Sequence, residues 1–126
     1  MEIVAALFVE QFDIRQDAGG SARLDLGGVY FSVGSADPLP VRLEPHLIVI
    51  VRCPPGHPGM GALEVVFRRD GADVARNVQP LQVEPGKFNY RLVRGELEFA
   101  EHGTIEAHCR IDNGPVTMVP LTLVPA

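Results

Sequence analysis

The sequence is short of basic charge. Eleven Lys and Arg stand against sixteen Asp and Glu, a formal charge of −5, and the only adjacent basic pair, Arg68-Arg69, is followed at once by Asp70. Affinity for nucleic acid comes mainly from neutralising phosphates, so neither DNA nor RNA is an expected partner. The same shortage argues against docking on anionic lipid. No apolar stretch approaches the roughly 18 residues of a membrane-spanning helix, so no membrane insertion is expected. A basic leader is missing too: the opening Met1-Glu2-Ile3-Val4 carries Glu at positions 2 and 10 and no Lys or Arg before Arg15. Export signals need a positive first segment, which makes the cytoplasm the expected compartment. The two cysteines are then expected as thiols, because a reducing poise disfavours structural disulfides.

Helical periodicity is also lacking. No window holds apolar residues at helical spacing for three turns without a Gly or Pro, of which the chain has 13 and 11. What is present is alternation between turn signals, the pattern of short strands. Thr104 to Asp112 puts Ile105, Ala107, Cys109 and Ile111 on one face and Glu106, His108 and Arg110 on the other, as a half-buried antiparallel strand requires. Asp112-Asn113-Gly114 supplies a turn, and the return strand runs over Val116 to Val124, with Pro120 predicting an edge or an irregularity. A second hairpin centres on Asp70-Gly71, with Leu63, Val65 and Phe67 sharing a face. Residues 2 to 12 read as a further strand, although an apolar run of this length is also compatible with a buried helix. Gly27-Gly28 reads as a bulge within or beside a strand.

The segment His46 to Cys53 is apolar on both faces. Leu47, Val49, Val51 and Cys53 suit the core, and Ile48 and Ile50 then point outward and need a cover. With no helix available, the expected cover is the loop from Gly34 to Pro40 or a second subunit, which makes Ile48 and Ile50 the candidate interface. The length and the absence of a composition shift give one domain, residues 1–126. The expected fold is all-β: an antiparallel β-sandwich of immunoglobulin-like kind, with a small β-barrel as second choice.

Several of these segments resemble a family of small actinobacterial proteins classed as a domain of unknown function. The resemblance lies in the opening Met1-Glu2-Ile3-Val4-Ala5-Ala6-Leu7-Phe8, in Leu26-Gly27-Gly28-Val29-Tyr30 with its Pro-bounded loop, in Phe67-Arg68-Arg69-Asp70-Gly71, and in Gly103-Thr104-Ile105 through Asp112-Asn113-Gly114. It covers nearly the whole chain and departs at Val29-Tyr30, where Trp often follows the glycine pair. It implies a single β-sandwich domain without a signal peptide, and it brings no catalytic residue.

Reactive constellations are sparse. Cys53 and His57 are the only Cys/His pair at a metal-like spacing, and two ligands do not make a zinc site, so no metal and no cofactor are expected. Cys109 lies on an apolar face, and its neighbour His108 points to the opposite one. Glu96 and Glu98 alternate with Leu97 and Phe99 as a solvated outer face does. Gly56-His57-Pro58-Gly59-Met60-Gly61 lacks the lysine and following helix of a phosphate loop. The expected function is therefore that of a non-enzymatic protein–protein interaction module that binds itself or another protein. The alternative is a small-molecule-binding module or enzyme with a pocket at the 54–61 loop, using His57, Cys53, Tyr30 or Tyr90.

Overall fold

The computed structural model describes residues 1–126. Eleven strands and no helix make up the chain: β1 (Glu2–Gln16), β2 (Ala22–Val29), β3 (Ser32–Ser35), β4 (Val41–Leu43), β5 (His46–Arg52), β6 (Met60–Arg69), β7 (Ala72–Gln82), β8 (Phe88–Arg94), β9 (Leu97–Phe99), β10 (Gly103–Ile111) and β11 (Thr117–Pro125). They form one sheet in the order β2-β1-β5-β8, a second in the order β3-β11-β10-β6-β7, and a two-stranded ladder β4-β9. The sheets do not close on themselves, so the sandwich is the fold and the barrel is not.

Alternation places the core. Leu63, Val65 and Phe67 on β6, with Ile105, Ala107, Cys109 and Ile111 on β10, face Ala6, Phe8, Leu47, Val49 and Val51 of the other sheet in one buried cluster. Leu97 and Phe99 of the small ladder join that cluster while Glu98 between them stays exposed. Asp70 and Gly71 take positive φ of 52° and 81° at the β6–β7 turn, the conformation that a tight hairpin matched to strand twist needs.

Pro120 sits where its missing N–H costs no ladder bond. Thr122 donates its N–H to Phe31 on the β3 side, and backbone groups alternate sides along a strand, so position 120 also faces away from β10. β3 pairs only with Thr122 to Pro125, which leaves that flank of β11 open at Pro120. The β3–β11 pair is parallel, unlike the antiparallel pairing expected throughout. Only Tyr30 and Phe31 separate β2 from β3, so the chain crosses between sheets without reversing.

The cover over Ile48 comes from the chain itself. Val9 pairs with both His46 and Val29, but beyond Val9 strand β1 has only β2 beside it. This distal hairpin bends back over the outer face of β5 and β8, bringing Phe12 to 6.2 Å from Tyr90, ring to ring. The β1–β2 pairing skips the position of Glu10 and Gly28, where Gly28 takes a φ of 64°. A Cβ on Gly28 would press on the Glu10 side chain at 2.6 Å, so a bend this tight depends on glycine.

Candidate functional site

Ile48 is 1% exposed. Its cross-strand neighbours Leu7 and Leu92 lie beside it on the outer face, and the folded hairpin lies over that face. Neither the Gly34–Pro40 loop nor a second subunit is needed to bury Ile48, and the interface expectation at this residue is corrected. The error has a simple origin. Alternation tells which side of a sheet a residue takes, and cannot tell that the end of a neighbouring strand doubles back over that side.

Ile50 is placed differently. One pair further along, it faces Ala5 and Tyr90 and is only half-buried. Together with Phe88 and Tyr90 of β8 it floors a cleft of about 220 Å³ roofed by Ile14 and Leu24 of the hairpin. Ile14 is 47% and Phe88 59% exposed, so the rim is apolar and open to solvent.

Besides Tyr90, the polar residues of the cleft are Arg23 and Asn89, and both of these are engaged. Arg23 donates to Asp17 at 2.6 Å. Asn89 donates to the Gln82 carbonyl at 3.1 Å and accepts from the Tyr90 N–H at 2.9 Å. No carboxylate, His or Cys lines the cleft, and its one ionisable acid is the Tyr90 phenol. Its volume falls below the roughly 300–1,000 Å³ of drug-sized ligand sites. It is nearer the ~150 Å³ that accommodates a benzene ring, which is the size of one large side chain.

The other sequence candidates lie apart from this cleft. Cys53 is fully buried, with its Sγ 3.6 Å from the Pro54 carbonyl oxygen. His57 accepts the Gly59 N–H on Nδ1 at 2.9 Å, closing the Pro/Gly loop as a hydrogen-bonded staple. Neither lines any of the main surface clefts. Tyr30 packs on Phe8 at 6.3 Å, and burial with the nearby Glu10 charge raises its phenol above the ordinary value. Tyr30 and Tyr90 thus belong to separate aromatic pairs and do not share a groove.

His108 and Cys109 point to opposite faces, as the strand pattern requires. His108 meets Glu106 at 3.2 Å on the outer surface, while burial pushes the Cys109 thiol up to about 12. Beside them Glu64 bridges Arg76 and Arg110; these hydrogen bonds, Arg76 first, hold its carboxyl below the usual range. No three His, Cys, Asp or Glu side chains converge as a metal site would need.

The sequence reading missed Phe12, Ile14 and Leu24. A signal for them was present: Ala22, Leu24 and Leu26 alternate with Arg23 and Asp25, and Gly19-Gly20 marks the turn before them.

Fold and cleft together define a β-sandwich whose opening hairpin roofs an apolar, side-chain-sized cleft. Set against family models, curated proteins and solved structures, the chain matches none. No helix is long and apolar enough to cross a membrane.

Proposed function

We propose that this chain is a non-enzymatic protein–protein interaction module of the cytoplasm that self-associates through the apolar rim of the hairpin cleft. The observation that carries the reading is the exposure of Phe88 and Ile14 around a cleft sized for one side chain. Interface hot spots are anchors of this kind, an aromatic residue filling a small desolvating pocket. A twofold arrangement, the commonest among soluble oligomers, would let Phe88 of each copy enter the cleft of the other. The absence of any carboxylate, His or Cys from the cleft lining and its small volume favour this reading over a small-molecule site or an enzyme.

Native mass spectrometry with sedimentation velocity tests it, because the pair reports subunit number and bound mass together. The expected result is a dimer without added mass, converted to monomer by Phe88→Asp. A strict monomer at high micromolar concentration, or a monomer carrying a metal or small molecule, overturns the proposal.

A further inference from the structure

The edges of the two sheets are unequally protected. The far edge of β7 contains Pro80 and receives side-chain hydrogen bonds from β8, Arg91 to the Pro80 carbonyl at 3.3 Å and Asn89 to the Gln82 carbonyl at 3.1 Å. Gln79 in turn donates to the Leu92 carbonyl of β8 at 2.9 Å. β3 has only four residues, and the open flank of β11 carries Pro120. β2 has none of these devices. It is the terminal strand of its sheet, eight residues long, with no proline, no lysine and no strand beyond it. Its only blunting features are the bulge at Gly28 and the charges of Arg23 and Asp25, and an edge left open over Ala22 to Leu26 can template pairing with another chain.

The free groups of that edge can be assigned. Asp17 donates its N–H to the Ser21 carbonyl at the hairpin turn, and Asp17 and Ser21 continue the register in which Arg15 faces Arg23 and Asp13 faces Asp25. Hydrogen-bonded and non-hydrogen-bonded pairs alternate in an antiparallel ladder. Arg23 and Asp25 therefore direct their backbone groups toward β1, whereas Ala22, Leu24 and Leu26 direct theirs outward.

The charges of the hairpin are arranged against its own interest. Asp13 stands opposite Asp25, and Arg15 opposite Arg23, although like charges directly across a sheet are destabilising. Two other pairs, Arg15 to Asp25 at 2.7 Å and Arg23 to Asp17 at 2.6 Å, offset part of this.

We propose that two copies join edge to edge along β2, antiparallel and centred on Leu24. The inference rests on the self-association reading and specifies its seam. In this register Leu24 faces Leu24 of the second copy and Ala22 faces Leu26, so the outward backbone groups meet in hydrogen-bonded pairs. Arg23 faces Asp25 on the solvent side, once in each direction. Each row across the joined hairpins then runs two acids followed by two bases, and the like-charged pairs within each hairpin gain opposite neighbours. Sliding the seam by one hydrogen-bonded step brings Arg23 against Arg23 or Asp25 against Asp25, so electrostatics selects the register. The seam borders the cleft, because Ala22 and Leu24 line it together with Phe88.

Two substitutions test the register by complementation. R23D makes the strand acidic at both positions and D25R makes it basic at both. Alone, each variant sets like charges across the seam twice, and its dimer dissociation constant is expected to rise about tenfold or more. Mixed in equal amounts, an R23D chain and a D25R chain regain two opposite-charge pairs and are expected to form a heterodimer at about wild-type strength, which native mass spectrometry distinguishes by mass. Heterodimer formation also demonstrates that both variant chains fold. Variants that self-associate like wild type, or a mixture that stays monomeric, overturn the β2 seam. If those results accompany a wild-type dimer that Phe88→Asp dissolves, the self-association reading stands and only the seam falls. A monomeric wild type removes both.

Discussion

At Gly59 the chain has no room for a side chain. Its φ is 86°, and a Cβ there would collide with the Val83 carbonyl oxygen, the neighbour whose N–H bonds back to the Gly59 carbonyl at 2.8 Å. Gly71 also has positive φ, but nothing lies near its missing Cβ. Gly71→Ala should cost only the left-handed backbone penalty, about 1–2 kcal/mol. Gly59→Ala adds an overpacking clash of about 1–3 kcal/mol, and equilibrium urea denaturation of the two variants should preserve that order. Cys109 gives a pH dependence with a definite sign. The unfolded chain releases this proton near the ordinary 9.0 and the folded chain holds it to about 12, so between these values the folded state binds more protons. Stability must then fall with rising pH, by up to about 1.4 kcal/mol per pH unit from this group, and Cys109→Ala should flatten the alkaline limb of a denaturation series. The buried roles of Cys53 and Cys109 were legible in the sequence because each ends or alternates within an apolar pattern. The role of His57 was not, since a backbone N–H two residues away is its partner and no spacing rule flags that.

At the scale of elements, the β6–β7 and β10–β11 hairpins could be read directly, because alternation and turn chemistry agree over both. The β1–β2 hairpin escaped notice. Its distal half carries charges on one side and only a sparse apolar stripe on the other, and its bend depends on a glycine pair whose geometry appears only in the fold. Phe12 is the contact that holds this half against Tyr90. Phe12→Ala should loosen the hairpin while leaving the main core in place, because Phe12 lies outside the core cluster. Hydrogen–deuterium exchange should then speed up over residues 10–29 and at Ile48, with little change on β6 and β10. Equal acceleration in both sheets would show that the hairpin is not a separate cooperative unit.

At the scale of the whole molecule, the proposed self-association would tie stability to concentration. A ligand that binds only the folded state stabilises it by mass action, and a second copy acts in the same way. The thermal midpoint of the wild type should climb as protein concentration rises, and that of Phe88→Asp should not move; differential scanning calorimetry over a hundredfold range of concentration checks both. The all-β architecture and the core faces of β6 and β10 were evident from alternation alone. Strand order was not, because nothing local in the sequence announces that β3 will lie beside β11. That one pairing has a kinetic consequence. It joins Ser32–Ser35 to Thr122–Pro125, so the second sheet stays open along that flank until residues some ninety positions further on have been synthesised. Contacts this distant in sequence are slow to form, and meanwhile Leu121 and Leu123, which the finished fold buries, have yet to emerge from the ribosome. A nascent chain stalled before residue 121 would therefore present a gap in its core to the cell's chaperones and proteases, whatever the stability of the finished protein.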